Sequence, residues 1–188
     1  TAALLARAPN DGQRVFEHAQ SLYWVGYIAR QRGDLPAAEA AFRDYLALAQ
    51  RLVQLDPQQL DWRAEVPYAS GNLGIVQLES AHYAAALQAF DEARLAWTAL
   101  VGPRPDFGIE LANIWGWIAK AREAQGEHGA AITAQQAKAE VLRGLPGAAQ
   151  DREVQRLLAN ASYELGRLPL LLGQPERARL AARAALDQ

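Results

Sequence analysis

Arg32-Gly33-Asp34 is the most suggestive short motif of this chain, since the same tripeptide serves as a cell-adhesion signal in secreted proteins. An alternative is that it marks a turn between two helices, where glycine supplies a backbone conformation that other residues avoid. Comparable turn positions recur at three later points of the sequence without the tripeptide, and nothing indicates secretion. We therefore interpret Gly33 as a helix break.

The three histidines, His18, His82 and His128, are the side chains best suited to metal binding or proton transfer. No two of them are spaced to share one face of a helix, so we expect surface histidines. The glycine-rich run at 144–147 lacks the lysine and spacing of a phosphate loop, and no serine has the strand-turn-helix setting of a nucleophile. We predict no metal, no cofactor and no enzymatic activity.

Composition excludes several further classes. The 188 residues are 51% hydrophobic and 21% charged, with a formal net charge of -2, which favours neither nucleic acid nor an anionic membrane as partner. The absence of cysteine excludes disulfides and thiolate sites and fits a cytoplasmic location. Arginine and alanine dominate over lysine, which is typical of a GC-rich bacterial genome. The absence of methionine leads us to expect a fragment of a longer protein.

An internal repeat organises the chain. Turn positions recur with spacings of 48, 45 and 47 residues, at Gly33, Ala81, Gly126 and Gly173. A small residue stands seven positions before each turn, at Gly26, Gly74, Ala119 and Gly166. An alanine stands five positions after each turn, at Ala38, Ala86, Ala131 and Ala178. Four positions further on lie Phe42, Phe90, Gln135 and Ala182. Such agreement in phase predicts four repeats of one helix-turn-helix design.

Apolar residues recur at helical spacing on both sides of each turn. In the first repeat these are Leu22, Val25, Ile28 and Ala29 before the turn and Ala38, Ala41, Phe42 and Leu46 after it. We predict eight helices, at 13–31, 36–55, 61–79, 83–101, 106–124, 128–143, 149–171 and 175–187. Pro67 is expected to begin or kink the third helix and Pro169 to kink the seventh. The fold class is therefore all-α, an α-solenoid of about four antiparallel helix pairs.

This pattern of small residue, turn glycine, alanine and aromatic resembles the tetratricopeptide repeat (TPR) family, in a long-repeat variety. The predicted repeats cover residues 13–57, 58–104, 105–148 and 149–188, and residues 1–12 resemble the tail and loop of a preceding repeat. The third repeat departs from the pattern, because Gln135 and Lys138 stand where apolar residues are usual. The resemblance implies a right-handed superhelix whose first helices line a concave groove that binds peptides or proteins.

Following the first helices at helical spacing predicts a partner-binding groove. It comprises Gln20, Tyr23, Tyr27, Arg30, Tyr68, Gly71, Asn72, Ile75, Asn113, Gly116, Trp117, Lys120, Asn160, Tyr163 and Arg167. Tyrosine and tryptophan are typical of binding hot spots, and glycine within a helix leaves room for a ligand. Alternatively, the aromatics fill gaps between repeats and the glycines allow close helix packing. Lys120 and Arg167 are candidates to meet an acidic group.

The chaperone-tail-binding members of the TPR family grip a carboxylate with lysines and asparagines on their first helices. Tyr23 and Tyr27 occupy two of those places here and only Asn72 matches, so chaperone tails are not expected as partners. We predict a noncatalytic interaction module of a larger bacterial signalling protein. Its partner would be a protein or peptide segment, in trans or from the same polypeptide.

Two alternatives remain open at this stage. The array ends lack the polar cap that terminal repeats normally need, which predicts possible self-association through those ends. A sensor for a small ligand is the other alternative, which an apolar pocket near Gly71 and Gly116 would favour.

Overall fold

The computed structural model describes residue 3 and residues 10–186 of the chain, with side chains as far as residue 180. Within this range the backbone forms eight α-helices: α1 Gly12–Gln31, α2 Leu35–Leu55, α3 Leu60–Glu79, α4 Tyr83–Val101, α5 Gly108–Ala124, α6 His128–Arg143, α7 Arg152–Leu171 and α8 Pro175–Leu186. A short 3-10 helix, Pro105–Phe107, precedes α5. The described residues contain no strand, so the all-α prediction is confirmed. The predicted tail of a preceding repeat lies mostly outside the described residues.

The four turns within the predicted repeats share one hydrogen-bond pattern. Gly33, Ala81, Gly126 and Gly173 all have positive φ, between 59° and 77°. In each turn the next residue donates its N–H to the carbonyl five positions earlier, at 2.8 to 3.0 Å. This is the Schellman arrangement, which satisfies carbonyls at the end of a helix. Ala81 adopts the left-handed conformation without being glycine, at a cost of roughly 1 kcal/mol.

The interpretation of Arg32-Gly33-Asp34 as a helix break is confirmed. Gly33 provides the left-handed residue after α1. The Asp34 carboxylate accepts a hydrogen bond from the Ala37 N–H at 3.1 Å, which caps the first turn of α2.

The chain divides into two compact units between Ala96 and Trp97, within α4. In the first unit α1 packs on α2 and α2 packs on α3. Its core is a cluster of buried residues: Ala19, Ala38, Phe42, Tyr45, Ala49, Ala69, Leu73 and Val76. Pro67 is buried and lies inside α3. It does not begin the helix, which starts seven residues earlier at Leu60.

Small residues in the first unit make room for phenylalanine rings, as the repeat pattern predicts. A Cβ atom on Gly26 would lie 2.8 Å from the Phe42 ring, and one on Gly74 would lie 2.6 Å from the Phe90 ring. Both distances are shorter than any tolerated carbon contact, so glycine is required for this packing. The other side of α1 is less enclosed, since Val25 and Ile28 are about half exposed.

In the second unit α5 packs on α6, α6 on α7, and α7 on α8. One buried cluster joins α5, α6 and α7 and consists of Ala112, Ala139, Leu142, Val154, Leu157, Leu158 and Ala161. A smaller cluster of Ala131, Ile132 and Leu168 lies nearer the turn between α5 and α6. Among residues 10–186, no helix combines the length and the apolar character needed to cross a bilayer.

Candidate binding site

A cavity of about 380 Å³ opens among α5, α6 and α7 in the second unit. Six of the predicted groove residues line it: Asn113, Gly116, Trp117, Lys120, Asn160 and Arg167. The seventh predicted residue of this unit, Tyr163, is on α7 but outside the lining, with 65% of its surface exposed. The sequence therefore located one wall of the cavity, the wall formed by the first helices of the third and fourth repeats.

Lys138 on α6 forms the opposite wall, and only 5% of its surface is exposed. Its ammonium donates a hydrogen bond to Asn160 Oδ1 at 3.0 Å. Burial lowers the pKa of Lys138, and the nearby Lys120 charge lowers it further. Within the described part of the chain no carboxylate lies in ion-pair contact with this ammonium. Lys138 is thus a buried cation held by one neutral partner.

Gln135, one turn before Lys138 on α6, is also 5% exposed and also lines the cavity. Its Oε1 atom accepts no hydrogen bond from any residue that the structure describes. A buried amide oxygen without a donor is destabilising by roughly 1–3 kcal/mol. The α6 wall of the cavity therefore carries a buried, unsatisfied acceptor, which makes Gln135 an unfavourable residue for stability at this position.

Arg167 is engaged within the unit. Its guanidinium makes two parallel hydrogen bonds to Glu123 at 2.7 Å each, and its Nε donates to Glu164 at 2.8 Å. These bonds raise the pKa of Arg167, and the guanidinium lowers the pKa of Glu123. The arginine thus binds both carboxylates of the wall, and the charge of Glu164 also acts on the nearby Lys138. Arg167 therefore has less capacity for the partner's acidic group than the sequence suggested.

Lys120 lies at the exposed rim of the cavity. Its ammonium is 4.3 Å from the centroid of the Trp117 ring, within the range of a cation–π contact. This contact orients the tryptophan over the opening. The rim therefore combines a flat aromatic surface with a positive charge.

The origin of the cavity becomes clear when the first repeat is aligned with the third on their turn glycines, Gly33 and Gly126. Tyr23, Phe42 and Tyr45, the aromatic trio, occupy the positions that Gly116, Gln135 and Lys138, the cavity trio, occupy in the third repeat. In the first unit the Tyr23 ring lies 6.4 Å from the Phe42 ring and 6.1 Å from the Tyr45 ring, centroid to centroid. Three rings that fill the first unit are thus replaced by residues that leave space.

The first unit contains a buried acid that bonds to one residue of the aromatic trio. Glu65 on α3 is 8% exposed and accepts hydrogen bonds from Gln20 Nε2 at 2.7 Å and from the Tyr45 hydroxyl. Burial raises the pKa of Glu65, and the two hydrogen bonds oppose that rise. Burial also raises the pKa of Tyr45. Gln20, predicted as a groove residue, is therefore a partner of this internal network.

The predicted aromatics of α1 divide into two roles. Tyr23 is half-buried and packs against the core of the first unit. Tyr27 is exposed, stacks on Tyr23 at 6.2 Å and meets the Trp24 ring edge-on at 5.8 Å. Tyr23 thus fills space inside the unit, whereas Trp24 and Tyr27 present an aromatic surface to solvent.

The other predicted residues of the first unit serve the helices themselves. Arg30 makes two hydrogen bonds to Glu79, at 2.9 and 2.6 Å, which link α1 to α3. The Asn72 side chain donates to the Tyr68 carbonyl of its own helix at 2.8 Å. Of the remaining predicted residues of this unit, Tyr68 and Ile75 are half-buried and Gly71 is buried.

Three buried polar residues were not predicted as site residues from the sequence. They are Glu65 in the first unit and Gln135 and Lys138 in the cavity of the second. For the last two a signal existed, because they interrupt the apolar pattern of the third repeat. Gln135 and Lys138 also bear on the small-ligand alternative, which an apolar pocket would favour, since the cavity at Gly116 is lined largely by charged and amide groups.

The three histidines lie apart, on α1, in the turn before α4 and at the start of α6. Over the described residues, no group of three potential histidine, cysteine or carboxylate ligands comes together.

No protein-family model matches the sequence, and no curated protein matches it either. Similarity is found among solved structures. BtubC (BKLC) from P. vanneervenii superimposes with a TM-score of 0.54 and 16% identity, over 97% of this chain and 90% of that one. MamA superimposes with a TM-score of 0.48 and 17% identity, over 91% of each chain. The likeness to BtubC shows the fold: the chain is a TPR-like helical-repeat protein.

Proposed function

We propose that this chain is a noncatalytic interaction module that binds an extended or helical segment of a partner protein. The observation that carries the proposal is the cavity of the second unit, whose lining includes six residues predicted from the sequence to face a partner. Its volume, about 380 Å³, is near the lower end of ligand pockets and suits one or two side chains of a bound segment.

The composition of the rim supports a macromolecular partner. Trp117 and Lys120 give the opening an aromatic and a cationic group, and both kinds of residue anchor peptides in protein interfaces. Neighbouring Tyr163 extends this surface along α7. In such a site a side chain of the partner enters the cavity while its backbone lies across the first helices.

A peptide-display selection against the protein tests the proposal. Selected peptides are expected to lose at least about tenfold in affinity for the Trp117→Ala variant, since buried tryptophans are typical hot spots. Trp24→Ala is the matched control, because Trp24 stands nine residues before its turn glycine as Trp117 does, but in the first unit. It is expected to leave the affinity unchanged.

Two results would contradict the proposal. One is a selection that yields no peptide preferring this protein over an unrelated helical protein. The other is a Trp117→Ala variant that loses its helical circular dichroism at room temperature, which would make Trp117 a core residue.

The biological setting of the module is part of the proposal. We infer a scaffold or regulatory segment of a larger bacterial signalling protein, in which the bound segment belongs to another protein or to the same polypeptide. The arginine- and alanine-rich composition supports a bacterial source. The TPR-like fold supports a scaffold role because such repeats present long surfaces for partners.

Self-association is the second candidate. Four leucines near the end of the second unit are markedly exposed: Leu170, Leu171, Leu172 and Leu180. Exposed apolar patches of this kind often mark protein contacts. Light scattering over a concentration series is expected to show that the apparent mass of the wild type rises with protein concentration. Leu171→Asp is expected to abolish this rise. A monomer at every concentration would remove this candidate.

A further inference from the structure

We propose that the cavity of the second unit recognises an acidic side chain, aspartate or glutamate, of the partner segment, and that Lys138 is the cation that binds it. This inference rests on the proposed function, because it specifies the chemistry of the segment that the module binds.

Two of the three cations around the cavity, Lys120 at the rim and Lys138 inside it, make no ion pair among the described residues. Arg167 is paired with both acidic residues of the wall, Glu123 and Glu164. Lys138 is buried beside them and is hydrogen-bonded only to the neutral amide of Asn160 among the described residues. A buried charge is costly unless it is paired, so a carboxylate that enters the cavity would relieve this cost.

The hydrogen-bond inventory points to the same ligand. An ammonium has three donors, and Lys138 directs one of them to Asn160. Two of its donors are therefore left for the oxygens of an acidic side chain.

Gly116 lies directly beside Lys138 in the wall of the cavity. A Cβ atom at position 116 would lie 3.5 Å from the Lys138 ammonium, at ordinary contact distance, so the glycine leaves space next to the charged group that a larger residue would take. Tyrosine takes this position in the first repeat. The cavity trio therefore supplies both the charge and the space beside it.

A phosphate group fits these surroundings less well than a carboxylate. Two carboxylates, Glu123 and Glu164, line the cavity and would repel a dianion more strongly than a monoanion. The guanidinium of Arg167, which has the forked geometry that phosphate prefers, is already engaged by those carboxylates. The monovalent side chain of aspartate or glutamate is the better match.

The experiment uses the peptides that the wild-type protein selects. Each acidic residue of a selected peptide is replaced in turn by its amide, and the Kd is measured for the wild-type protein and for Lys138→Met. At one peptide position the replacement is expected to weaken wild-type binding at least about tenfold, while Lys138→Met binds both peptides equally weakly. Lys120→Met is the comparison variant, and its smaller loss is expected because Lys120 is exposed at the rim.

The outcomes separate this inference from the proposed function. Peptides that depend on Trp117 but tolerate every acid-to-amide replacement would overturn the inference and leave the function standing. A selection without any specific peptide would overturn both. Displacement of the peptide by inorganic phosphate but not by free glutamate, in a manner that requires Lys138, would contradict the inference. Melting of Lys138→Met at or above the wild-type temperature is expected and establishes that this variant folds.

Discussion

The two units build on the same repeat, yet equivalent positions hold three aromatic rings in the first unit and line a cavity in the second. In the first unit the aromatic trio packs around Gly26 and closes the space between α1, α2 and α3. In the second unit the cavity trio stands at the same repeat positions, and a cavity opens. Both units keep the same turn geometry. The difference shows that side-chain choice at three positions, on a repeated backbone design, converts core into a candidate binding site.

Buried charge is handled differently in the two units. In the first, Glu65 accepts hydrogen bonds from Tyr45 and Gln20, so its carboxylate has two donors inside the protein. In the second, Lys138 has one neutral acceptor and Gln135 Oε1 has no donor among the described residues. The carboxylate of the first unit has two hydrogen-bond donors within the protein, whereas the ammonium of the second unit has donors left for a ligand.

The largest expected contrast is in stability. Phe42→Ala removes a fully buried ring from the first unit and should lower the free energy of unfolding by about 3–5 kcal/mol. Gln135→Ala, at the equivalent position of the third repeat, removes an amide with an unsatisfied oxygen. It should change the free energy of unfolding by less than about 1 kcal/mol. Urea denaturation followed by circular dichroism measures both. Equal losses at the two positions would mean that the second unit is as tightly filled as the first.

A smaller contrast is expected between two glycines. Gly26→Ala forces a methyl group into the Phe42 ring and should cost about 1–3 kcal/mol. Gly116→Ala places the methyl group at ordinary contact distance, 3.5 Å from Lys138, and should stabilise α5 by up to about 1 kcal/mol through helix propensity. Thermal unfolding of the two variants is the measurement. A lower melting temperature for Gly116→Ala would show that no spare room exists beside Lys138.

The pH dependence of stability should differ in sign between the buried charges. Because burial raises the folded-state pKa of Glu65 above its ordinary 4.5, the folded state binds the proton more tightly than the unfolded chain. The free energy of unfolding of the wild type, relative to Glu65→Gln, should therefore fall as the pH rises from 4.5 through the folded-state pKa. A constant difference across that interval would show that burial does not destabilise the charged form of Glu65.

Lys138 should produce the opposite trend at the alkaline end. Burial lowers its folded-state pKa below the ordinary 10.5, so the unfolded chain binds the proton more tightly. Relative to Lys138→Met, the wild type should gain stability as the pH rises from the folded-state pKa to 10.5. Urea titrations at several pH values measure this difference, and a flat profile would contradict the burial of an unpaired ammonium.

Much of the fold was predictable because it depends on local sequence signals. Positive-φ residues recur at one fixed place in the four repeats, and the predicted helix ends agree with the observed ones to within three residues wherever both are described. The pairing of Gly26 with Phe42 also followed from the repeat register. Such features need only the chemistry of one repeat.

The candidate site was predictable only in part, because it depends on contacts between repeats. Arg30 bonds a glutamate 49 residues away, Gln20 one 45 residues away and Arg167 one 44 residues away. No periodic pattern specifies which polar residues will be paired in this way. Six cavity-lining residues on α5 and α7 were among those predicted, while the structure was required to separate internally paired residues from the others.

The most direct test moves two residues of the aromatic trio into the second unit, as Gln135→Phe with Lys138→Tyr. Isothermal titration of a selected peptide into wild type and variant gives the decisive comparison, with circular dichroism as the check of folding. The two rings should fill the cavity and raise the melting temperature. Peptide binding should weaken at least about tenfold, because the cavity is occupied and the Lys138 cation is gone. A folded variant that binds the peptide with wild-type affinity would contradict the account.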